Sequence, residues 1–156
     1  MGNEENLMST FWKAAPWIGK VIVLLSTTIF AVISVQPITH PAVSAAAQGL
    51  AFTSSLGPTV FRVAFAGFPL GCAAFLAYCL LSSRRTLTGL IFSALVLGIV
   101  LVVRIFGMEV DSSVQLSMPL VEAEIVLVAI TLVGIAIEMK QRSHVRRTMS
   151  IAGQPF

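Results

Sequence analysis

The stretch LTGLIFSALVLGIVLVVRIF at residues 87–106 decides the fold, because it is almost wholly apolar. About 20 such residues form a helix long enough to cross the hydrocarbon core of a bilayer. Three other stretches have the same character, and the sequence predicts membrane-spanning helices over residues 17–38, 60–81, 87–106 and 118–139. Short links between consecutive helices favour antiparallel packing, so the predicted architecture is an all-α, four-helix, up-down bundle.

Composition supports a lipid environment. The 156 residues are 56% hydrophobic and only 11% charged, whereas about a quarter of the residues in a soluble domain are charged. Mean hydropathy is +0.92, and intrinsically disordered chains have low hydrophobicity instead. These values exclude a soluble globular protein and a disordered one, and they indicate a single membrane domain over residues 1–156.

The links between the predicted helices differ in character. Residues 39–59 form the longest, and Pro41 before an alanine-rich segment, residues 42–52, predicts a short helix at the membrane interface. Residues 82–86 form a tight turn, and residues 107–117 form a polar, acidic loop. After residue 139 the chain is basic and lacks apolar periodicity, which predicts a loose cytoplasmic extension over residues 140–156 that includes His144.

The basic residues predict the orientation, because the cytoplasmic flanks of membrane helices are enriched in lysine and arginine. A cytoplasmic N-terminus leaves only Arg62 and Arg104 on the outer side and places both termini in the cytoplasm. In this orientation the basic residues on the cytoplasmic side are Lys13, Lys20, Arg84, Arg85, Lys140, Arg142, Arg146 and Arg147. A signal peptide cleaved near Ala45 is the alternative interpretation of the first apolar stretch.

Several functional classes have no supporting motif in the sequence. The net charge of +3 comes from short clusters beside apolar stretches, not from the basic motifs of nucleic-acid binders. Cys72 and Cys79 lie too far apart along one helix for a disulfide, and no Cys/His spacing predicts a metal site. Neither a phosphate loop nor a nucleophile elbow occurs. We therefore expect no nucleic-acid partner, no metal and no cofactor.

Charged residues within the apolar stretches are informative, because each costs about 2.5–3.5 kcal/mol at the centre of a membrane helix. Arg62, Arg104 and Glu124 fall at the outer ends of three predicted helices, and Asp111 lies in the adjoining loop. They predict either an ion-pair network that joins the helices or an outward pocket for an anionic or oxygen-bearing headgroup. We expect the first three to converge, and Arg104→Ala to destabilise the protein more than Arg142→Ala.

The second predicted helix carries a packing motif. Gly67 and Gly71 form a small-xxx-small pattern, which predicts a close contact with another helix. Pro69 lies between them and is expected to disturb the helix just below Arg62, because proline has no backbone N–H to donate.

These positions resemble the signature of a known family. Arg62, the pair Gly67 and Gly71, Arg104 and Glu124 resemble a bacterial family of small four-helix integral membrane proteins of unknown function, over about residues 60–139. The resemblance implies the same architecture and a bacterial inner (plasma) membrane, and it implies no activity. A weaker likeness is to DoxX-like membrane proteins, which are similar in size and also carry an arginine near the start of a helix.

Three functional hypotheses remain open. The first is a binding or accessory protein whose outward-facing charged pocket, formed by Arg62, Arg104, Glu124 and Asp111, holds a lipid-like or small amphiphilic ligand. The second is a membrane-embedded enzyme that acts on a lipophilic substrate by acid–base chemistry. The third is a small transporter or transport subunit, which needs polar access from both sides, whereas the cytoplasmic half is nearly all apolar. A homo-oligomer or a larger membrane complex is also left open.

Overall fold

The structure is a computed structural model that describes residues 2–111 and 114–151, with side chains described for residues 17–110 and 118–144. No strand occurs in the described part of the chain, so the prediction of an all-α fold is confirmed. A π-helical turn, Val63–Gly67, joins the third helix to the fourth. The helices are α1 (Gly2–Thr39), α2 (Pro41–Ala47), α3 (Gly57–Arg62), α4 (Phe68–Leu80), α5 (Thr86–Asp111) and α6 (Val114–Ile151).

Four helical segments are long and apolar enough to cross a membrane. Between 17% and 33% of the residues in the most apolar window of each segment are buried, so most apolar side chains face outward. Water would not tolerate an apolar surface of this extent, and the chain is therefore a multi-pass membrane protein. The segments are Trp17–Thr39, Gly57–Leu80, Thr86–Val110 and Met118–His144.

The helices run alternately up and down and define two ends of the bundle. We call the end where residues 40–56 link α1 to α3 the connector end, and the end where residues 81–85 link α4 to α5 the turn end. Helix α1 packs against α4, α5 and α6, and α5 also packs against α4 and α6. The core lies between these helices, where Val23, Leu76 and Leu90 are fully buried.

Close helix contacts form at glycines other than the predicted pair. A Cβ atom on Gly89 of α5 would lie 3.0 Å from Cys79 Cβ and 3.3 Å from the Val23 methyls, so α5 approaches both α4 and α1 there. Gly71 would meet nothing within 4 Å, and Gly67 would meet only the Arg62 carbonyl of its own helix. The prediction that Gly67 and Gly71 form an interhelical contact is therefore wrong within this chain.

The segments between and after the spans are more helical than the sequence predicted. Helix α5 continues to Asp111 and α6 begins at Val114, so most of the predicted acidic loop is helical. Helix α6 also continues to Ile151, where a loose extension was expected. Each helix runs on because its backbone N–H and C=O groups stay paired without any need for an apolar face. Residues 112–113 and 152–156 lie outside the described part of the chain.

Helix α2 is shorter than its predicted range because a glycine ends it. Gly49 has a φ of 72°, and the N–H groups of Gly49 and Leu50 donate to the carbonyls of Ala46 and Ala45. This pattern of reversed hydrogen bonds is a Schellman motif, which favours glycine at the left-handed position. The chain then turns back towards α3.

Pro69 disturbs its helix in a defined way. Its ring cannot donate to the Phe65 carbonyl four residues earlier and would clash with it. The turn before it, Val63–Gly67, widens into a π-helix, in which the Phe68 N–H donates to the Val63 carbonyl. Such π-turns are rare and are found frequently at functional sites, and this one directly follows Arg62.

Candidate functional site

An ion pair joins α5 to α6 near the connector end. Arg104 Nε donates to both carboxylate oxygens of Glu124 at 2.9 Å, and its Nη2 donates to Oε1 at 2.7 Å. The side chains are 30% and 14% exposed, respectively. A planar guanidinium that binds a carboxylate through two nitrogens is the strongest form of this contact. The structure thus brings together two of the residues that the sequence singled out.

Arg62 does not join this pair. Its Nε donates to the carbonyl of Ile38, 3.1 Å away, at the carboxyl end of α1. The last carbonyls of a helix have no partner within the helix, and a cation near them is favoured by the helix dipole. Arg62 therefore caps α1, and the predicted convergence of Arg62 with Arg104 and Glu124 is wrong. Arg62 is exposed overall.

A cleft opens at the connector end; Arg62 does not line it, but Arg62 is bonded to Ile38, the neighbour of the lining residue Pro37. The cleft has a volume of about 350 Å³ and lies between α1, the α2 segment and the π-helical turn. Its apolar wall includes Pro37, which precedes Ile38, and Ala64 and Phe65 of the π-turn. Sequence reasoning missed this cleft, because only the folding of residues 40–56 brings its sides together. Its polar lining consists of Gln36, Ser44 and Gln48.

Asp111 of the predicted pocket and the other acidic residues at the connector end are less informative. Asp111 ends α5, and its side chain lies outside the described residues. Glu122 and Glu109 are exposed, as expected for carboxylates at a membrane surface. The predicted charged pocket therefore divides into the Arg104–Glu124 pair and a separate region around Arg62.

A second ion pair lies at the turn end. Arg142 Nε donates to Oε1 of Glu138 at 2.9 Å, and its Nη2 donates to the carbonyls of Arg84 at 2.9 Å and Ser83 at 3.3 Å. Glu138 is buried, with 6% of its surface exposed. The sequence interpretation of Arg142 as part of a loose extension is therefore wrong. One signal for the pair was available, since Glu138 and Arg142 are four residues apart on one helix face.

The glutamate at the turn end is accommodated by a glycine of α1. A Cβ atom on Gly19 would lie 3.1 Å from Thr86 Cγ2 and 3.4 Å from Glu138 Oε2. Helices α1, α5 and α6 thus meet at one level, and α1 must carry a small residue there. The Thr86 hydroxyl is buried and has no hydrogen-bond partner among the described residues.

Three hydroxyl side chains form a polar layer in the middle of the bundle. This layer lies about 10.5 Å from the level of Gly19, Thr86 and Glu138, because each of its residues is seven positions closer to the connector end and a helix rises 1.5 Å per residue. Its members are Ser26 of α1, Ser93 of α5 and Thr131 of α6. All three are buried. Ser26 and Thr131 donate to carbonyls of their own helices, whereas the Ser93 hydroxyl has no partner in the described structure.

Comparison of the chain with protein-family models, with curated proteins and with solved structures finds no match. The assignment of function therefore rests on the residues and their geometry.

Proposed function

We propose that this protein is a binding or accessory protein of the bacterial inner membrane that holds a lipid-like or small amphiphilic ligand at the connector end. The polar part of the ligand lies against Arg62 and the cleft lined by Gln36, Ser44 and Gln48. The apolar part lies along the surrounding helices. The observation that carries this proposal is a cleft that has amide and hydroxyl groups on an otherwise apolar surface, with an exposed arginine bonded to the residue that follows Pro37 of its wall.

The chemistry of the cleft supports an oxygen-bearing headgroup. A guanidinium whose Nε is fixed on a carbonyl keeps its terminal N–H groups in a defined plane, which suits phosphate or carboxylate oxygens. Glutamine amides and a serine hydroxyl both donate and accept hydrogen bonds. Pro37, Ala64 and Phe65 provide apolar contact for the first carbons of a chain. Ligand pockets combine a few such polar groups with an apolar wall in this way.

In this proposal Arg62 binds the ligand, and the Arg104–Glu124 pair has a structural role. Three charge-assisted hydrogen bonds already satisfy Glu124, so a ligand anion would have to compete with a carboxylate held in place. The pair holds α5 against α6 at the same end of the bundle. No described feature favours acid–base catalysis over binding.

Native mass spectrometry of the protein purified in mild detergent tests the proposal. Arg62→Gln and Gln48→Leu should each lower the fraction of protein that retains a co-purifying amphiphile by about tenfold or more, while the melting temperature stays within a few degrees of wild type. Lys140→Gln, at the turn end, also removes one positive charge and should leave that species in place. Equal retention in Arg62→Gln, Gln48→Leu and wild type would refute the proposal.

The proposed site faces the outside if the turn end is cytoplasmic. Reporters fused after Arg85 and after Met139 should give cytoplasmic signals, and a reporter within residues 40–56 should give an external one. This expectation follows from the excess of lysine and arginine at the turn end. An external signal from the fusion after Arg85 would reverse the orientation and place the cleft in the cytoplasmic leaflet.

A small transporter is the second candidate, and the polar layer favours it. Ser26, Ser93 and Thr131 lie between Glu138 at one end and Glu124 at the other, which is more polar than the sequence suggested. Apolar packing separates these levels, since a Cβ atom on Gly134 would lie 2.7 Å from Ile22 Cδ1. Transport would therefore require the helices to move apart, and accumulation of a substrate by proteoliposomes would be its test.

A further inference from the structure

We infer that the turn end carries a binding site for the phosphate of an anionic lipid, formed by Arg84, Arg85 and the amino end of α5. This site is separate from the cleft at the connector end. Four features of the described residues support it: the distribution of charge, two contacts between cations and aromatic rings, the contacts of Arg142, and the position of the turn at the start of a long helix.

Charge is distributed unequally between the two ends. Among the described side chains, the turn end carries five basic residues and one acidic residue, and the acidic one is buried and paired. The connector end carries two basic and three acidic residues. The net charge therefore attracts anionic headgroups more strongly to the turn end than to the connector end. The turn-end residues are Lys20, Arg84, Arg85, Lys140, Arg142 and Glu138; those at the connector end are Arg62, Arg104, Glu109, Glu122 and Glu124.

Two aromatic side chains mark the level of the membrane surface at the turn end. The guanidinium of Arg85 lies over the Tyr78 ring, 4.2 Å from its centroid, and the Lys20 ammonium lies 5.5 Å from that of Trp17. Both rings are exposed. Tyrosine and tryptophan concentrate at the headgroup level of bilayers, and a cation over a ring face is favoured more when water is partly excluded. Arg85 is therefore held at the depth where lipid phosphates lie.

Arg142 removes the groups that would repel a phosphate. The carbonyls of Ser83 and Arg84 would otherwise present negative partial charge at the turn, and Arg142 donates to both. The same side chain neutralises Glu138. The turn is thereby fixed to α6, and its exposed charged side chains are those of two arginines.

The turn also leads into the positive end of a helix dipole. Helix α5 begins at Thr86, immediately after Arg84 and Arg85, and continues to Asp111. The first N–H groups of a helix have no partner within it and favour anions nearby. Backbone donors, helix dipole and two guanidinium groups therefore coincide at one turn.

Fluorescence quenching by brominated lipids tests the site in the full-length protein. The reporter protein carries Trp12→Phe, Trp17→Phe and Tyr78→Trp, which leaves one tryptophan beneath Arg85. It is reconstituted in phosphatidylcholine vesicles that contain either brominated phosphatidylglycerol or brominated phosphatidylcholine. We expect the anionic lipid to bind beside this reporter about five times more strongly than the zwitterionic one, or more. A matched reporter with Phe106→Trp in place of Tyr78→Trp, at the connector end, should show less than twofold preference.

Variants of the reporter separate a defined site from diffuse attraction. A basic residue near a membrane surface contributes about 1 kcal/mol, which corresponds to about fivefold in binding, so Arg84→Gln should remove most of the preference. Arg84→Lys should keep at least half of it. Lys140→Gln removes one charge from another position at the same end and should change the preference less than twofold. Equal losses in Arg84→Gln and Lys140→Gln, or no preference in the unaltered reporter, would overturn the inference.

A competition experiment distinguishes a lipid from free phosphate. Millimolar glycerol phosphate or inorganic phosphate in the buffer should leave quenching by the brominated phosphatidylglycerol unchanged, because neither has acyl chains to place it at the depth of Tyr78. Displacement by either soluble anion would show a site for free phosphate and would refute the lipid assignment. Circular dichroism of each variant confirms that the helices are retained.

Discussion

At each end of the bundle a glutamate of α6 pairs with an arginine, but the two ion pairs have different structural roles. At the connector end Glu124 binds Arg104 of a neighbouring helix, so the pair holds two helices side by side. At the turn end Glu138 binds Arg142 of its own helix, and the arginine extends to the carbonyls of the turn. The first pair determines which helices are neighbours, and the second determines where a turn lies.

The difference between the pairs has a physical origin. Arg104 and Glu124 both lie inside apolar spans, where an unpaired charge is costly. Arg142 lies in the polar last turn of the Met118–His144 segment, and its side chain is 37% exposed, so water can replace part of the hydrogen bonding that Glu138 provides. The connector-end pair should therefore contribute more to stability, although the turn-end arginine makes contacts with more groups.

The largest expected effect is that of breaking the connector-end pair. Arg104→Ala leaves Glu124 within a span without its partner and should destabilise the folded protein by roughly 2.5–3.5 kcal/mol, the cost of a charge in a membrane helix. Replacing both residues, with Arg104→Met and Glu124→Leu, should recover most of this loss, because an apolar pair of similar size is often as stable as a buried ion pair. Thermal unfolding in detergent measures both. A double variant as unstable as Arg104→Ala would show that the pair itself is needed.

The next effect concerns the helix contacts that position both ends. Gly89→Leu places a side chain where a single Cβ atom would already lie 3.0 Å from Cys79, and overpacking of this kind costs about 1–3 kcal/mol. Gly71→Leu, on the exposed face of α4, is the matched control and should change stability by less than about 0.5 kcal/mol. The opposite ranking in a thermal unfolding assay would place the close contact at Gly71, for example in a dimer.

A smaller effect is expected at the turn end. Arg142→Ala removes the partner of Glu138 and two hydrogen bonds to the turn, and hydrogen bonds to charged groups contribute about 1.5–3 kcal/mol when buried. Because the Arg142 side chain is partly exposed, this contribution is smaller, and we expect Arg142→Ala to lower the free energy of unfolding by about 1–2 kcal/mol. Lys140→Ala removes an exposed charge nearby and serves as the control. If the two variants unfold at the same temperature, the contacts of Arg142 with Ser83 and Arg84 are absent in the membrane protein.

The smallest effect tests the polar layer between the ends. Ser93→Ala removes a buried hydroxyl that has no described partner, and this change should be neutral or stabilising by up to about 1 kcal/mol. Thr131→Val removes a hydroxyl that is bonded to the Leu127 carbonyl and should be slightly destabilising. A loss of more than about 1 kcal/mol in Ser93→Ala would mean that water or a substrate occupies the layer, which would strengthen the transporter hypothesis.

Helical spacing predicted the candidate site in part. It placed Arg104 and Glu124 at the same end and on facing sides of neighbouring helices, because two spans joined by a short link must be antiparallel. It could not place Arg62, because the acceptor of Arg62 is the backbone carbonyl of Ile38, which no sequence pattern singles out. It also missed the cleft, whose polar lining comes from α1 and from the segment after it, and whose shape depends on the turn at Gly49.

The sequence by itself determined the number of spanning helices, their alternating direction and the side of each helix that carries charge. These properties follow from local quantities, namely the length of an apolar stretch and the period of the helix. Only the tertiary structure decided which glycines form contacts, which arginine binds which acceptor, and that α6 continues past the apolar span. Those outcomes depend on the rotation and axial shift of one helix against another, and several arrangements of similar apolar surfaces satisfy the same sequence pattern.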